Sequence, residues 1–343
     1  MEKLSCAVCI VGQLARLELE SKLQYVVKPN LLSGRTMALF MVLARGKPKF
    51  VNARAENATW SLVAGPFARY NRSQLEGHIL DTLSNAIAGM HASHQGRGLG
   101  FSMHTYFASE ARKFLEKPLW AGRLDKAERG LKANSLRQQM HLLQWEHLRK
   151  CMFMIDRREQ DARMHFKLVL KLRDDSMALL PMYIPSYWPR VGLISLQCLG
   201  YGGIMDATFA VGRRWAWNIM EGMSAEWYLS HYDFSSNLSL QPGRRIPHNP
   251  ESWLAALAKM KAVPVRFMEF CMLPFVSVRL VANATSTPTY MTKRLHSQLV
   301  LTHNSSCFLR NTSRGGIHKN TCARRIRTEL HKLTICPRAI CNS

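Results

Sequence analysis

Acidic residues are scarce in this chain: 23 Asp and Glu stand against 47 Lys and Arg over 343 residues, a formal net charge of +24. Such a balance attracts polyanions, whether nucleic acid, anionic lipid heads or sulfated glycans. Long apolar runs are also missing. None approaches the roughly eighteen residues that a membrane-spanning helix needs. Gly-x-Gly-x-x-Gly and the P-loop are absent, which argues against ordinary NAD and ATP sites. Gly-x-Ser-x-Gly and His-Glu-x-x-His are absent as well, removing the commonest signs of a serine hydrolase or a zinc protease. There is no internal repeat and no heptad run.

A 47% hydrophobic content allows a sizeable core, and the length suits one large α/β domain or two ordinary ones. Charge is unevenly spread. Residues 291–343 hold ten Lys/Arg and one acid, Glu329, so they carry +9 of the +24. Periodicity fades beyond Val281. We therefore expect an α/β domain over 1–285 and a basic, cysteine-containing tail over 286–343. In that tail, His303, Cys307, His318 and Cys322 are a potential Zn²⁺ set, at a spacing that matches no strong finger. Of the nine cysteines, five lie in apolar surroundings and read as small core residues. The first residues lack a basic leader and a small-residue cleavage site, so they read as a buried strand rather than a signal peptide. Six Asn-x-Ser/Thr sequons, at Asn57, Asn71, Asn237, Asn283, Asn304 and Asn311, point instead towards a secretory lumen.

Strands are expected at 6–11, Met37–Ala44, 166–173, Val191–Leu199, Thr208–Val211 and Pro264–Leu273. Helices are expected from Leu17 to Leu23, Leu75 to Met90, Ser135 to Asp161, Arg213 to Glu221, and from Asn249-Pro250 onward, where Asn caps and Pro opens the first turn. His94 to Gly100 reads as a glycine-rich linker. Gly12, placed just after the first strand, permits a tight turn and close ligand approach. The succession of strands and helices predicts a largely parallel sheet flanked by helices.

The chain is organised around Phe166 to Ser176 (FKLVLKLRDDS). Phe166, Leu168, Leu170 and Leu172 alternate with Lys167, Val169, Lys171 and Arg173, the period of a half-buried strand. Asp174 and Asp175 follow at its carboxyl end, where ligands sit in open α/β sheets. Carboxylates there can hold a hard divalent cation, and the cation a diphosphate. Neighbouring residues of an extended strand point to opposite faces, so one of the two acids would reach the cation directly. The same residues also suit a plain turn.

Cys6 to Lys22 (CAVCIVGQLARLELESK), a second strand ending in Phe50-Val51-Asn52, the long helix with Trp145, Leu148 and Cys151, then LKLRDDS and GYGGIMD (Gly200–Asp206) occur in this order. Over roughly residues 4 to 280 the order resembles a group of algal and oomycete glycosyltransferase-like proteins, themselves similar to GT-A nucleotide-sugar transferases. That resemblance implies a Rossmann-like sheet, a nucleoside diphosphate sugar as donor, Mn²⁺ or Mg²⁺ as cofactor, a glycan or glycoprotein acceptor and residence in the Golgi lumen. It places Gly12, Gln13 and Arg16 at the nucleotide end of the first strand, Asp174 and Asp175 at the metal, and Asp206 at the acceptor or donor sugar. Arg16 and Arg173 would help neutralise the departing diphosphate. Asp206 would assist deprotonation of the acceptor, with Glu269 in reserve. Tyr201 and Trp215 suit sugar or base stacking, or core packing. Two rival functions remain: a binding protein of the same fold without turnover, and a polyanion binder acting through the tail. Nucleic acid is not the expected partner.

Overall fold

The computed structural model describes residues 4–45, 61–62, 67–91, 101–108, 136–196, 203–229, 250–269, 271–282 and 299–301. Its strands are β1 (Ser5–Gln13), β2 (Thr36–Ala44), β3 (Ser61–Leu62), β4 (Phe101–Ala108), β5 (Leu168–Arg173), β6 (Ser176–Ala178), β7 (Leu193–Leu196), β8 (Thr208–Gly212), β9 (Val265–Met268), β10 (Phe275–Ala282) and β11 (Leu299–Leu301). Its helices are α1 (Glu20–Lys22), α2 (Lys28–Leu32), α3 (Arg72–His91), α4 (Leu136–Ala162), α5 (Arg213–Ala216), α6 (Gly222–Leu229) and α7 (Pro250–Met260). Wider π turns at Leu23–Val27 and Trp217–Glu221 join α1 to α2 and α5 to α6.

The architecture is α/β, with a mostly parallel, Rossmann-like central sheet. Its seven strands lie in the order β4-β2-β1-β5-β8-β7-β9. All run the same way except β8, which is antiparallel to both β5 and β7. Strand alternation divides the core into two layers. Ala7, Cys9 and Val11 face Trp145, Leu148, Cys151 and Met152 of α4, together with Trp227 and Trp253. Cys6, Val8 and Ile10 face Leu23, Val26 and Leu31, with Leu75 and Ile79 of α3.

The expected half-buried strand at 166–173 is instead buried on both faces, because β1 and β8 flank it and helices cover each side. Lys171 is fully buried there. Gly12 lies within β1 rather than after it. The helix expected from Leu17 begins at Glu20 and runs on to Leu32. The strand expected over Pro264–Leu273 is split: β9 joins the main sheet, while β10 pairs antiparallel with β3, β6 and β11. β4, an edge strand of mixed polarity (FSMHTYFA), was not expected. Two of the cysteines read as core residues, Cys9 and Cys151, are buried and joined as a disulfide across 142 residues. Cys271 is also disulfide-bonded, whereas Cys6 is a free buried thiol. β11 falls inside the basic tail and returns to the fold by pairing with β10. Phe50-Val51-Asn52, the 94–100 loop, Tyr201, Asn249 and the His/Cys set of the tail lie outside the described residues.

Candidate functional site

From β1 the chain first adds β2 and then β4 on one side; it returns to add β5 on the other. β1 and β5 therefore bound a topological switch point, and ligands of open α/β sheets lie beyond the carboxyl ends of such strands. Gly12 and Gln13 end β1, Arg173 ends β5, and Asp174 and Asp175 form the turn into β6.

Asp174 is completely buried and ties this end together. Its Oδ2 accepts from the Gln13 backbone N–H at 2.9 Å and from Arg16 Nε at 2.9 Å, and its Oδ1 accepts from Arg16 Nη2 at 3.0 Å. Arg16 is thus held bidentately, the geometry that a guanidinium fork matches best. The Asp174 backbone takes part too. Its N–H donates to the Val11 carbonyl, and its carbonyl accepts from the Glu18 N–H, both at 2.9 Å. Gly12 makes room for this. Its φ is +144°, and a Cβ there would come within 2.1 Å of Asp174 Oδ1. Glycine answers both the backbone angle and the close approach. Burial pushes the Asp174 carboxyl above the usual carboxylate range, against the pull of Arg16.

Lys22 lies beneath the turn with no exposed surface. Its Nζ donates to the carbonyls of Glu18, Asp174 and Ser176, which would otherwise be buried acceptors without that partner. Burial lowers its pKa, opposed by Glu18 and the two aspartates.

On the opposite face of β5, Lys171 donates to the Asp206 and Ala207 carbonyls. Burial pulls its pKa down to about 8 although Asp206 opposes the shift. The Gln144 side-chain amide of α4 donates to Asp206 Oδ2. Asp206 is 5% exposed, and its loop is docked on α7 through the Ile204 N–H and the Glu251 carbonyl, 3.0 Å apart. Asp175 joins the two halves: Arg173 Nε donates to its Oδ1, and its Oδ2 lies 3.9 Å from Arg16 Nη1. Burial acts to lower the Arg173 pKa, but Asp175 and Asp206 outweigh it and raise the value.

Gly12, Gln13, Arg16, Arg173, Asp174 and Asp175 therefore share one end of the sheet. Asp206 stands beside them across Lys171. Glu269 sits apart, exposed just past β9. Trp215 is packed in the core, with the Arg214 guanidinium 3.6 Å over its ring. Nothing in the sequence marks Lys22, Lys171 and Gln144 as part of this site, because a lysine or glutamine on a helix or strand ordinarily reads as a solvated side chain. Their only signal was position, next to the conspicuous acids and glycine.

The expected Mn²⁺ or Mg²⁺ is a poor match for this arrangement. Both oxygens of Asp174 are taken by Arg16 and the Gln13 N–H, and those of Asp175 face Arg173 and Arg16. Hard cations require free carboxylate oxygens, and here guanidinium cations already occupy that place. Among the described residues no group of three or more His, Cys, Asp or Glu converges as metal ligands do, and no helix is long and apolar enough to cross a membrane.

No protein-family model matches the sequence, and no curated protein matches it. Among solved structures, the nucleoside-diphosphate-sugar pyrophosphorylase from Vibrio cholerae RC9 is similar with a TM-score of 0.36 and 6% identity, over 77% of this chain and 91% of that one. A likeness so low carries no functional weight.

Proposed function

We propose that the protein binds a nucleoside diphosphate sugar at the carboxyl end of β1 and β5 and transfers its sugar to an acceptor hydroxyl. One observation carries this reading: two part-exposed arginines, Arg16 and Arg173, stand at the switch point of the sheet, with the Asp206 carboxylate near enough to Arg173 to favour its charged form. Transfer needs a cationic partner for the departing diphosphate, a carboxylate to take the acceptor proton, and a fixed alignment of the two substrates. Arg16 and Arg173 suit the first task and Asp206 the second. The backbone at Gly12 and Gln13 suits close approach of the nucleotide.

A second reading, binding without turnover, is favoured by the surroundings of Asp206. Its Oδ2 is held by Gln144 and little of it meets solvent. A base in that setting must release Gln144 before it can reach an acceptor.

The experiment is a thermal-shift panel of nucleotide sugars, followed by assay of sugar release and transfer for each donor that raises the melting temperature. Asp206→Asn is expected to keep donor binding and to lower turnover by two orders of magnitude or so, the usual size of general-base assistance. A donor that binds but is never turned over by the unmodified protein would favour the binding reading. A panel in which no nucleotide sugar shifts the transition would remove both.

A further inference from the structure

We infer that the site takes the diphosphate directly on Arg16, without an intervening divalent cation, and that Asp174 is a positioning residue for that arginine rather than a metal ligand. The inference rests on the nucleotide-sugar reading for its biological ligand, but the geometry concerns phosphate alone. A guanidinium has five N–H donors in a fixed plane. Arg16 commits one from Nε and one from Nη2 to Asp174. Its Nη1 stands 3.9 Å from Asp175, beyond hydrogen-bond reach. The fork is thus gripped along one edge, and the other edge makes no hydrogen bond among the described residues.

Asp174 has no exposed side-chain surface, whereas that of Arg16 is 18% exposed, so solvent meets the arginine and not the acid. Any cation seeking Asp174 must first displace Arg16 and the Gln13 N–H. A phosphate approaching from solvent instead meets a guanidinium whose rotamer is already fixed, and so loses little side-chain entropy on binding. Gly12 belongs to the same device: any side chain there would push Asp174 away and free the fork.

The test uses the full chain, inorganic pyrophosphate as probe, and calorimetric titration with EDTA or with added Mn²⁺. Pyrophosphate is expected to bind in EDTA. Arg16→Met should lower its affinity at least tenfold while the thermal transition is retained. Arg16→Lys keeps the charge but not the fork, and should recover only part of the loss. Asp174→Asn should weaken binding although the residue touches no phosphate; should it fail to fold, the two Arg16 variants decide alone. Binding that requires Mn²⁺, an Arg16→Met affinity equal to the unmodified protein, or no binding under either condition each overturns the inference. Nucleotide sugars that bind only with Mn²⁺ would sink it while sparing the proposed function. Pyrophosphate binding in EDTA with no response to any nucleotide sugar would do the reverse.

Discussion

His147 shows how one side chain can govern pH sensitivity. It is 3% exposed, neither ring nitrogen has a hydrogen-bond partner among the described residues, and burial pulls its pKa down to about 4. Above the ordinary value near 6.5 the imidazole is neutral in both the folded and the unfolded chain. As pH falls towards 4, the unfolded chain takes up a proton that the folded one refuses, so stability is lost over that window, by roughly 3 kcal/mol at most. His147→Leu is expected to flatten this acid limb; urea midpoints measured between pH 7 and 4 would check it. Gly12→Ala should act differently. It forces a side chain into a left-handed backbone angle and against Asp174, at a cost of about 3 kcal/mol or more. Its denaturation midpoint should fall at every pH. Lys22→Met should cost about 3 kcal/mol, because three carbonyls lose one buried donor. An unchanged midpoint for that variant would show that the turn at Asp174 stands without the lysine.

At the scale of elements, α4 and β1 are fastened twice, by packing and by the Cys9–Cys151 disulfide. Peptide mapping without reductant is expected to recover that pair, and Cys151→Ala to lower stability by about 2–5 kcal/mol, the usual range for a link across a long loop. Recovery of both cysteines as free thiols would contradict it. β1 and β2 are legible because they are unbroken apolar runs, as in Met37–Ala44, and α3 and α4 because apolar residues recur at helical spacing, as in Leu75–Leu83. β4 was not, since a half-polar edge strand has no clean alternation. The β3, β6 and β10 pairings were not either, because two- and three-residue ladders are set by tertiary contact rather than by local pattern. β5 is legible but its burial is not: alternation with lysine suggests solvent, whereas Lys171 is buried and bonds to the Asp206 and Ala207 carbonyls. The acids at its end stood out in the sequence. Their partner did not, because Arg16 and Asp174 are 158 residues apart, and no local rule joins them.

For the whole molecule, the tail divides at β11. Truncation after Leu301 is expected to leave one cooperative thermal transition near the full-length temperature. Truncation after residue 290 takes the partner from Val278, Arg279 and Leu280, and should lower the midpoint by several degrees without loss of cooperativity. Disappearance of the transition in the shorter cut would show that 302–343 belong to the core. The tie between Gln13 and Asp174, 161 residues apart, also sets a timetable. β1 is made well before β5, and β2 follows it closely, with Ser5 opposite Thr36. Its other edge must wait for β5. At ordinary elongation rates that delay is roughly ten to thirty seconds. Throughout it the nascent chain carries an apolar strand with one edge bare, and a Gly12–Arg16 loop with nothing to close upon. The proposed ligand site is therefore incomplete until Asp174 has been made: a chain released before it has the arginine but not the acid that aims it.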